Sequence, residues 1–203
     1  DAMMLGIDPM KQRPRMEESL DVMMRLFAGE TVTEKTEWFT CDQAVLQMRP
    51  YSNFDIAVAS TMSPSGSKLA GRYGTGMLSI AATEPAAFGV LDYNFTVWNE
   101  EAARHGHVAD RSKWRLMGPM HIAPTLEEAK ENCRYGLQWV FEYLSHIIPM
   151  GDPNDPPPPS DYDDFVDYMT ESGRMVSGTP EMAIAQIERL QEKTGGFGAY
   201  LFM

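Results

Sequence analysis

Cysteine is scarce in this chain. Cys41 and Cys133 are the two present among 203 residues, too few for a disulfide framework, and their scarcity fits a reducing cytoplasmic setting. Long apolar runs are missing as well: no stretch approaches the ~20 residues that a bilayer span requires. Basic charge is thin, with 17 Lys and Arg against 29 Asp and Glu and a formal net charge of -12. That balance excludes broad nucleic-acid binding, which depends on clustered Lys and Arg. It also argues against docking on an anionic membrane surface. Histidines are few. Beside His105 and His107 no second ligand pair stands at metal spacing, and the cysteines are isolated, so no metal site is expected. Asp161, Asp163 and Asp164 lack the glycine and terminal glutamate of a calcium loop and read as the acidic start of a helix. Neither a Ser-His-Asp order nor a nucleophile elbow is present, and no repeat recurs at solenoid periods.

What the sequence does contain is alternation. Pro14 to Ala28 reads as an amphipathic helix, ended by Gly29. Residues 31–48 turn to Thr, Val, Trp and Phe, with Thr31 to Thr33 and Glu37 to Thr40 expected as the strands of a hairpin. Ile56 to Ala59 is a short continuous apolar run, the pattern of a parallel strand buried on both faces. A helix is expected from Ser65 to Tyr73, a buried strand from Gly76 to Ile80, and a long helix from Glu84 to His105 with Pro85 in its first turn. Trp114 to Ile122 is expected as one strand. Thr125 and Glu128 form a capping box that opens a helix to Ile147. A Pro-rich insertion is expected over 148–177, with a loop from Pro149 to Ser160 and a short acidic helix from Tyr162 to Glu171. A last helix follows Gly178-Thr179-Pro180-Glu181 and runs to Lys193, and Gly195 to Gly198 turns it into a final strand. Four strands alternating with helices are the signature of a parallel α/β sheet or barrel. The chain begins at Asp1 without an initiator Met and stops within the apolar run Tyr200 to Met203, which suggests a segment of a longer protein.

The segment Ser60 to Gly66 carries the most chemistry. It follows a buried strand and precedes a helix, and ligands of α/β folds bind at the carboxyl ends of strands. Ser63 offers a hydroxyl and Pro64 fixes the turn. The backbone N–H groups of Ser65 and Gly66 belong to the helix's first turn, where phosphate binds readily. An ordinary helix cap satisfies the same pattern. Arg13, among Lys11, Arg13 and Arg15, could grip a phosphate bidentately, or belong to a solvated cluster. Gly71 to Gly76 lacks the dinucleotide order G-x-G-x-x-G and reads as a helix end. Sixteen methionines and four tryptophans supply apolar surface, mostly for the core.

Several segments together resemble those of one known family. Gly6-Ile7-Asp8-Pro9, followed by Arg13 and an acidic amphipathic helix, resembles the region after the fourth strand of the bacterial luciferase-like flavin monooxygenases. Ser63-Pro64-Ser65-Gly66 after Ala57-Val58-Ala59 resembles their fifth-strand phosphate loop. Gly178 to Glu181 and the Gly195 to Gly198 turn resemble their last helix–strand unit. The wording around Met48 to Tyr51 and Trp114 to Leu116 is similar to the limonene monooxygenase-like branch.

The resemblance implies a partial (β/α)8 TIM barrel lacking the first four strands and the last helix. It implies FMN as cofactor, with FAD or a deazaflavin as alternatives. The cofactor-binding residues it implies are Arg13, Ser63 and the backbones of Met62, Ser65 and Gly66. The family's catalytic histidine lies on an early strand and has no counterpart here, so no catalytic residue is assigned. The implied function is two-component oxygenation: a separate flavin reductase supplies reduced flavin, and a small apolar substrate such as a terpene or aldehyde is oxidised with dioxygen. The Pro149 to Ser160 loop would lie at the barrel mouth, as a lid or as a plain linker. Two other readings stand beside this one, a deazaflavin-dependent reductase or dehydrogenase on the same barrel, and a non-catalytic fragment or subunit. Half a barrel exposes open sheet edges, so a homo-oligomer is expected.

Overall fold

The computed structural model describes residues 4–147 and 157–202. The chain divides into two compact units at Asp55/Ile56.

The first unit is a helix, α1 (Pro9–Phe27), and an antiparallel hairpin of β1 (Val32–Lys35) and β2 (Thr40–Ala44). Asp8 caps the helix: its carboxylate accepts from the Met10 N–H at 2.9 Å, and Pro9 occupies the first turn. The helix therefore starts at Pro9 and not at Pro14, which lies inside it and has no N–H to give the ladder. Arg13 consequently sits on the helix, exposed, and not in a loop ahead of it. Glu37 to Phe39, expected as strand, form the hairpin turn. The Thr36 N–H donates to the Phe39 carbonyl at 2.9 Å, and the Thr36 hydroxyl accepts from the Phe39 N–H at 3.1 Å. Trp38 is held in that turn by its indole N–H, which donates to Glu18 at 2.8 Å, and by the Arg15 guanidinium over its ring. β2 begins only at Thr40.

The second unit is built on a four-stranded parallel sheet in the order β3 (Ala57–Ser60), β4 (Gly76–Ser79), β5 (Trp114–Gly118), β8 (Ala199–Phe202). β3 and β4 are joined by α2 (Ser65–Tyr73), and β4 and β5 by α3 (Pro85–Gly89) and α4 (Leu91–Arg104). The register aligns Val58 with Met77 and Met77 with Trp114, and all three are buried. The alternate row of Ala59, Leu78 and Arg115 is less covered, with Ala59 exposed. Neighbouring parallel strands joined by helical crossovers are the βα units of a barrel, here a partial (β/α)8 barrel. No helix among the described residues is long and apolar enough to cross a membrane.

Several elements are shorter than the sequence periodicity predicts, each for a local reason. The expected helix from Glu84 to His105 is two, α3 and α4, interrupted at Val90 (φ -107°, ψ 7°). The expected strand from Trp114 to Ile122 breaks at Pro119, which cannot donate to a ladder. Beyond the break, β6 (Met120–Ile122) pairs in parallel with β7 (Val176–Gly178), a strand the sequence did not suggest. Thr125 caps α5 (Leu126–Cys133) by accepting from the Glu128 N–H at 3.1 Å, but the helix stops at Cys133 and α6 (Leu137–Ile147) starts separately. In the Pro-rich region, residues 148–156 lie outside the described residues, so the loop expected from Pro149 is described only from Pro157. α7 (Tyr162–Glu171) follows, capped by Asp161, which accepts from the Asp163 and Asp164 N–H groups at 3.0 and 3.2 Å. α8 (Pro180–Thr194) ends at Gly195 in the left-handed conformation (φ 71°).

α7 contributes Phe165, Val166 and Met169 to a buried cluster with Met175. Thr83, after β4, donates its hydroxyl to the Arg174 carbonyl at 2.6 Å, and the Arg174 guanidinium lies 3.4 Å from Glu84.

Tyr200 on β8 packs against Met120, Val176 and Ala183. Its hydroxyl is buried without a partner among the described residues, and burial pushes its pKa up to about 12. Tyr200→Phe is therefore expected to stabilise the fold by roughly 1 kcal/mol, the usual penalty of an unpaired buried polar group. The sign of the pH effect follows from linkage. Neutral Tyr200 favours the folded state fully below the unfolded value near 10, and that contribution fades as pH rises towards 12. Thermal midpoints from pH 7 to 11 test both points: the advantage of the Phe variant should widen above pH 10.

Candidate functional site: the turn after β3

The short turn between β3 and α2 brings Met62, Ser63, Ser65 and Gly66 together. Pro64 is the N-cap residue (φ -76°, ψ 3°), and no side chain caps the helix. The first amide bond of α2 is Lys68 N–H to the Pro64 carbonyl at 3.0 Å. No acceptor among the described residues takes the N–H groups of Ser65, Gly66 or Ser67. Three donors thus converge at the positive end of a helix dipole. Local charge favours an anion there. The first turn has no acidic residue and carries Lys68, and residues 56–83 contain no Asp or Glu in a chain otherwise rich in them.

Ser63 and Ser65 add hydroxyls, with their Oγ atoms 2.8 Å apart. One donates to the other, so one hydroxyl hydrogen remains available to a ligand oxygen that meets the turn. Both side chains are half-buried, and Met62 is exposed. Beneath the turn the hydroxyls of Ser60 and Ser67, both buried, lie 3.3 Å apart. Ser60 Oγ donates to the Ser63 carbonyl at 3.4 Å, and Ser67 Oγ to Met77 Sδ at 3.2 Å. These two serines are structural supports that sequence reading missed.

Gly66 acts differently from its expected role of leaving a ligand room. An ideal Cβ there would lie 2.2 Å from the Ala59 carbonyl oxygen and 3.0 Å from Ser60 Cα. The glycine lets α2 approach β3, which brings the helix's first turn to the strand's carboxyl end. At the end of β4, next in the sheet, Ala81 adopts a positive φ of 56°. Such backbone strain in a non-glycine residue is typical of ligand-facing loops.

Arg13 lies in the first unit, exposed on α1. Of the histidines, His105 and His146 bond backbone carbonyls of their own helices through Nδ1, at 3.0 and 2.7 Å. His121 is half-buried on β6. Among the described residues no three His, Cys, Asp or Glu side chains gather as metal ligands. What the turn offers chemically is backbone amides and hydroxyls, donors suited to an anionic oxygen group.

The model of the luciferase-like monooxygenase family matches residues 1–196. The chain is 50% identical over 203 residues, its whole length, to limonene 1,2-monooxygenase from Rhodococcus erythropolis, and it covers 51% of that protein. Among solved structures, the monooxygenase RslO1 from Streptomyces bottropensis superposes with a TM-score of 0.77 at 17% identity, over 100% of this chain and 57% of its own. A type II Baeyer-Villiger monooxygenase in complex with FMN, the oxygenating constituent of 3,6-diketocamphane monooxygenase from Pseudomonas putida, superposes with a TM-score of 0.60 at 22% identity, over 91% of this chain and 54% of its own. This chain spans about half the length of the relatives it matches. By its match along nearly the whole sequence and by the parallel βα units of its second unit, the chain belongs to the luciferase-like monooxygenase family.

Proposed function

We propose that this chain is part of a flavin-dependent monooxygenase and that the turn after β3 holds the phosphate of FMN. The observation that carries this reading is the set of unpaired first-turn amides at Ser65, Gly66 and Ser67, at a strand's carboxyl end in a stretch without carboxylates. Backbone N–H groups from Ser65 and Gly66 and a hydroxyl of the Ser63–Ser65 pair would face the phosphate oxygens, with the Met62 backbone beside them. Arg13 joins this proposal through the family resemblance alone, as a guanidinium suited to a phosphate dianion. Reduced flavin, when bound, would supply the electron pair that lets dioxygen place one oxygen atom in the substrate while the other leaves as water. The residues of this chain would anchor and orient the flavin. The protein would take reduced flavin from a separate reductase and act on a small apolar compound such as a terpene or aldehyde. The 50% identity to limonene 1,2-monooxygenase, over about half of that protein, supports this reading.

Replacing Arg13 or Ser63 with alanine tests the anchor directly. Arg13→Ala is expected to weaken FMN binding about tenfold or more, the loss of a charge-assisted contact, and Ser63→Ala about fivefold. Riboflavin, which has the same ring and no phosphate, should bind both variants almost as it binds the parent. Equal losses for the two flavins would overturn the assignment. Turnover that persists without dioxygen would point instead to a deazaflavin-dependent hydride transfer.

A further inference from the structure

Asn94 lies on the face of α4 that carries Leu91, Trp98 and Ala102, all buried, and it is itself fully buried. That face packs closely against α2, where a Cβ on Gly71 would come within 2.7 Å of the Ala102 nitrogen. An asparagine is a poor choice for packing there. Its Nδ2 donates to the Thr61 carbonyl at 2.9 Å, while its Oδ1 is buried without a partner among the described residues. A flipped amide would set two carbonyl oxygens against each other, so the bond to Thr61 fixes the orientation. A leucine would fill similar space without an orphaned oxygen, and so would serve the core better. The cost of this residue therefore goes with its single contact, the first residue of the turn.

We propose that Asn94 is a positioning residue for anion binding at the turn after β3, an inference that rests on the phosphate reading above. Carbonyls of the turn that face an incoming anion would repel it, and side chains hold two of them. Ser60 Oγ holds that of Ser63 at 3.4 Å, and Asn94 holds that of Thr61 at 2.9 Å. Drawing these two carbonyls into the protein lowers the repulsion that an anion would meet beside the first-turn N–H groups. Asn94 thus selects for the phosphate without touching it.

The test compares FMN and riboflavin dissociation constants and thermal midpoints for the full protein and for Asn94→Leu, with Ser63→Ala as a reference. Asn94→Leu is expected to hold or raise the midpoint while lowering FMN affinity about tenfold and leaving riboflavin within twofold. Asn94→Ser, which is smaller and too short to reach Thr61, should show the same selective loss and serves where leucine does not fit. Unchanged FMN affinity in these variants, or equal loss of both flavins, overturns the role of Asn94. A selective loss in Ser63→Ala without one in the Asn94 variants would overturn this inference alone. A parent protein with no preference for FMN over riboflavin would overturn the phosphate reading, and this inference with it.

Discussion

Gly66→Ala is expected to destabilise the second unit by about 3 kcal/mol, at the upper end of what overpacking ordinarily costs. The added methyl would stand 2.2 Å from the Ala59 carbonyl oxygen and 3.0 Å from Ser60 Cα. Both are backbone atoms of β3, so no rotamer change relieves the clash; α2 must move away from the strand. That movement carries the three first-turn amides with it, so the FMN binding proposed for this turn should weaken along with stability. Gly89→Ala is the control, because a Cβ on Gly89 meets nothing within 4 Å and its effect should stay within about 0.5 kcal/mol. Urea unfolding of the two variants at matched conditions decides the matter. A Gly66→Ala protein as stable as its Gly89→Ala counterpart would mean that the close approach of α2 to β3 is not what this glycine serves.

The alternation of strand and helix was legible in the sequence where an element of the second unit is marked at both ends. α2 falls on Ser65 to Tyr73 as the spacing predicts, since Pro64 starts it and Gly74, at φ 64°, stops it. α7 likewise falls on Tyr162 to Glu171 because Asp161 is an unambiguous cap. The misreadings come from interruptions that apolar periodicity does not record. Pro119, directly after Gly118, lies between apolar residues that read together as one strand, yet it removes the donor that would have carried β5 into β6. β7 is three buried residues, Val176 to Gly178, too short to leave a pattern, and it exists because β6 offers it a parallel partner more than fifty residues upstream. Trp38 reads as strand by type, and its bond to Glu18 makes it part of a turn.

The site divides in the same way. Ser63, Ser65 and Gly66 were visible because a strand, a Ser-Pro step and a helix start are contiguous in sequence. Ser60, Ser67 and Asn94 support the turn from outside it. Asn94 did leave one trace: it is the polar member of the buried set Leu91, Asn94, Trp98 and Ala102, spaced at i, i+3, i+7 and i+11. A polar residue in phase with an apolar stripe has a partner to find. Only the folded chain identifies that partner as the Thr61 carbonyl.

Trp114→Ala should cost about 3–5 kcal/mol, the range for losing a buried aromatic side chain. Trp114 is fully buried on β5 beside Met77. It stacks on Phe95 with ring centroids 5.3 Å apart and an interplanar angle of 22°. Phe95 in turn meets Trp98 edge-on at 5.8 Å and carries the Arg111 guanidinium 3.6 Å from its ring centroid. Removing the indole therefore leaves a void beneath α4 and deprives a connected aromatic group of its contact with the sheet. The polar part of the residue can be separated from the packing part. The indole N–H donates to Ser79 Oγ at 2.9 Å, and Ser79 is itself buried. Trp114→Phe keeps much of the ring contact but strands the Ser79 hydroxyl, and should cost roughly 1–2 kcal/mol beyond its smaller cavity. Ser79→Ala strands the indole N–H instead and should cost a similar amount. Combining the two removes both orphaned groups at once, so the double variant should be less destabilised than the sum of the singles. Strict additivity in chemical denaturation would show that the bond across β4 and β5 contributes nothing and that Trp114 acts through packing alone.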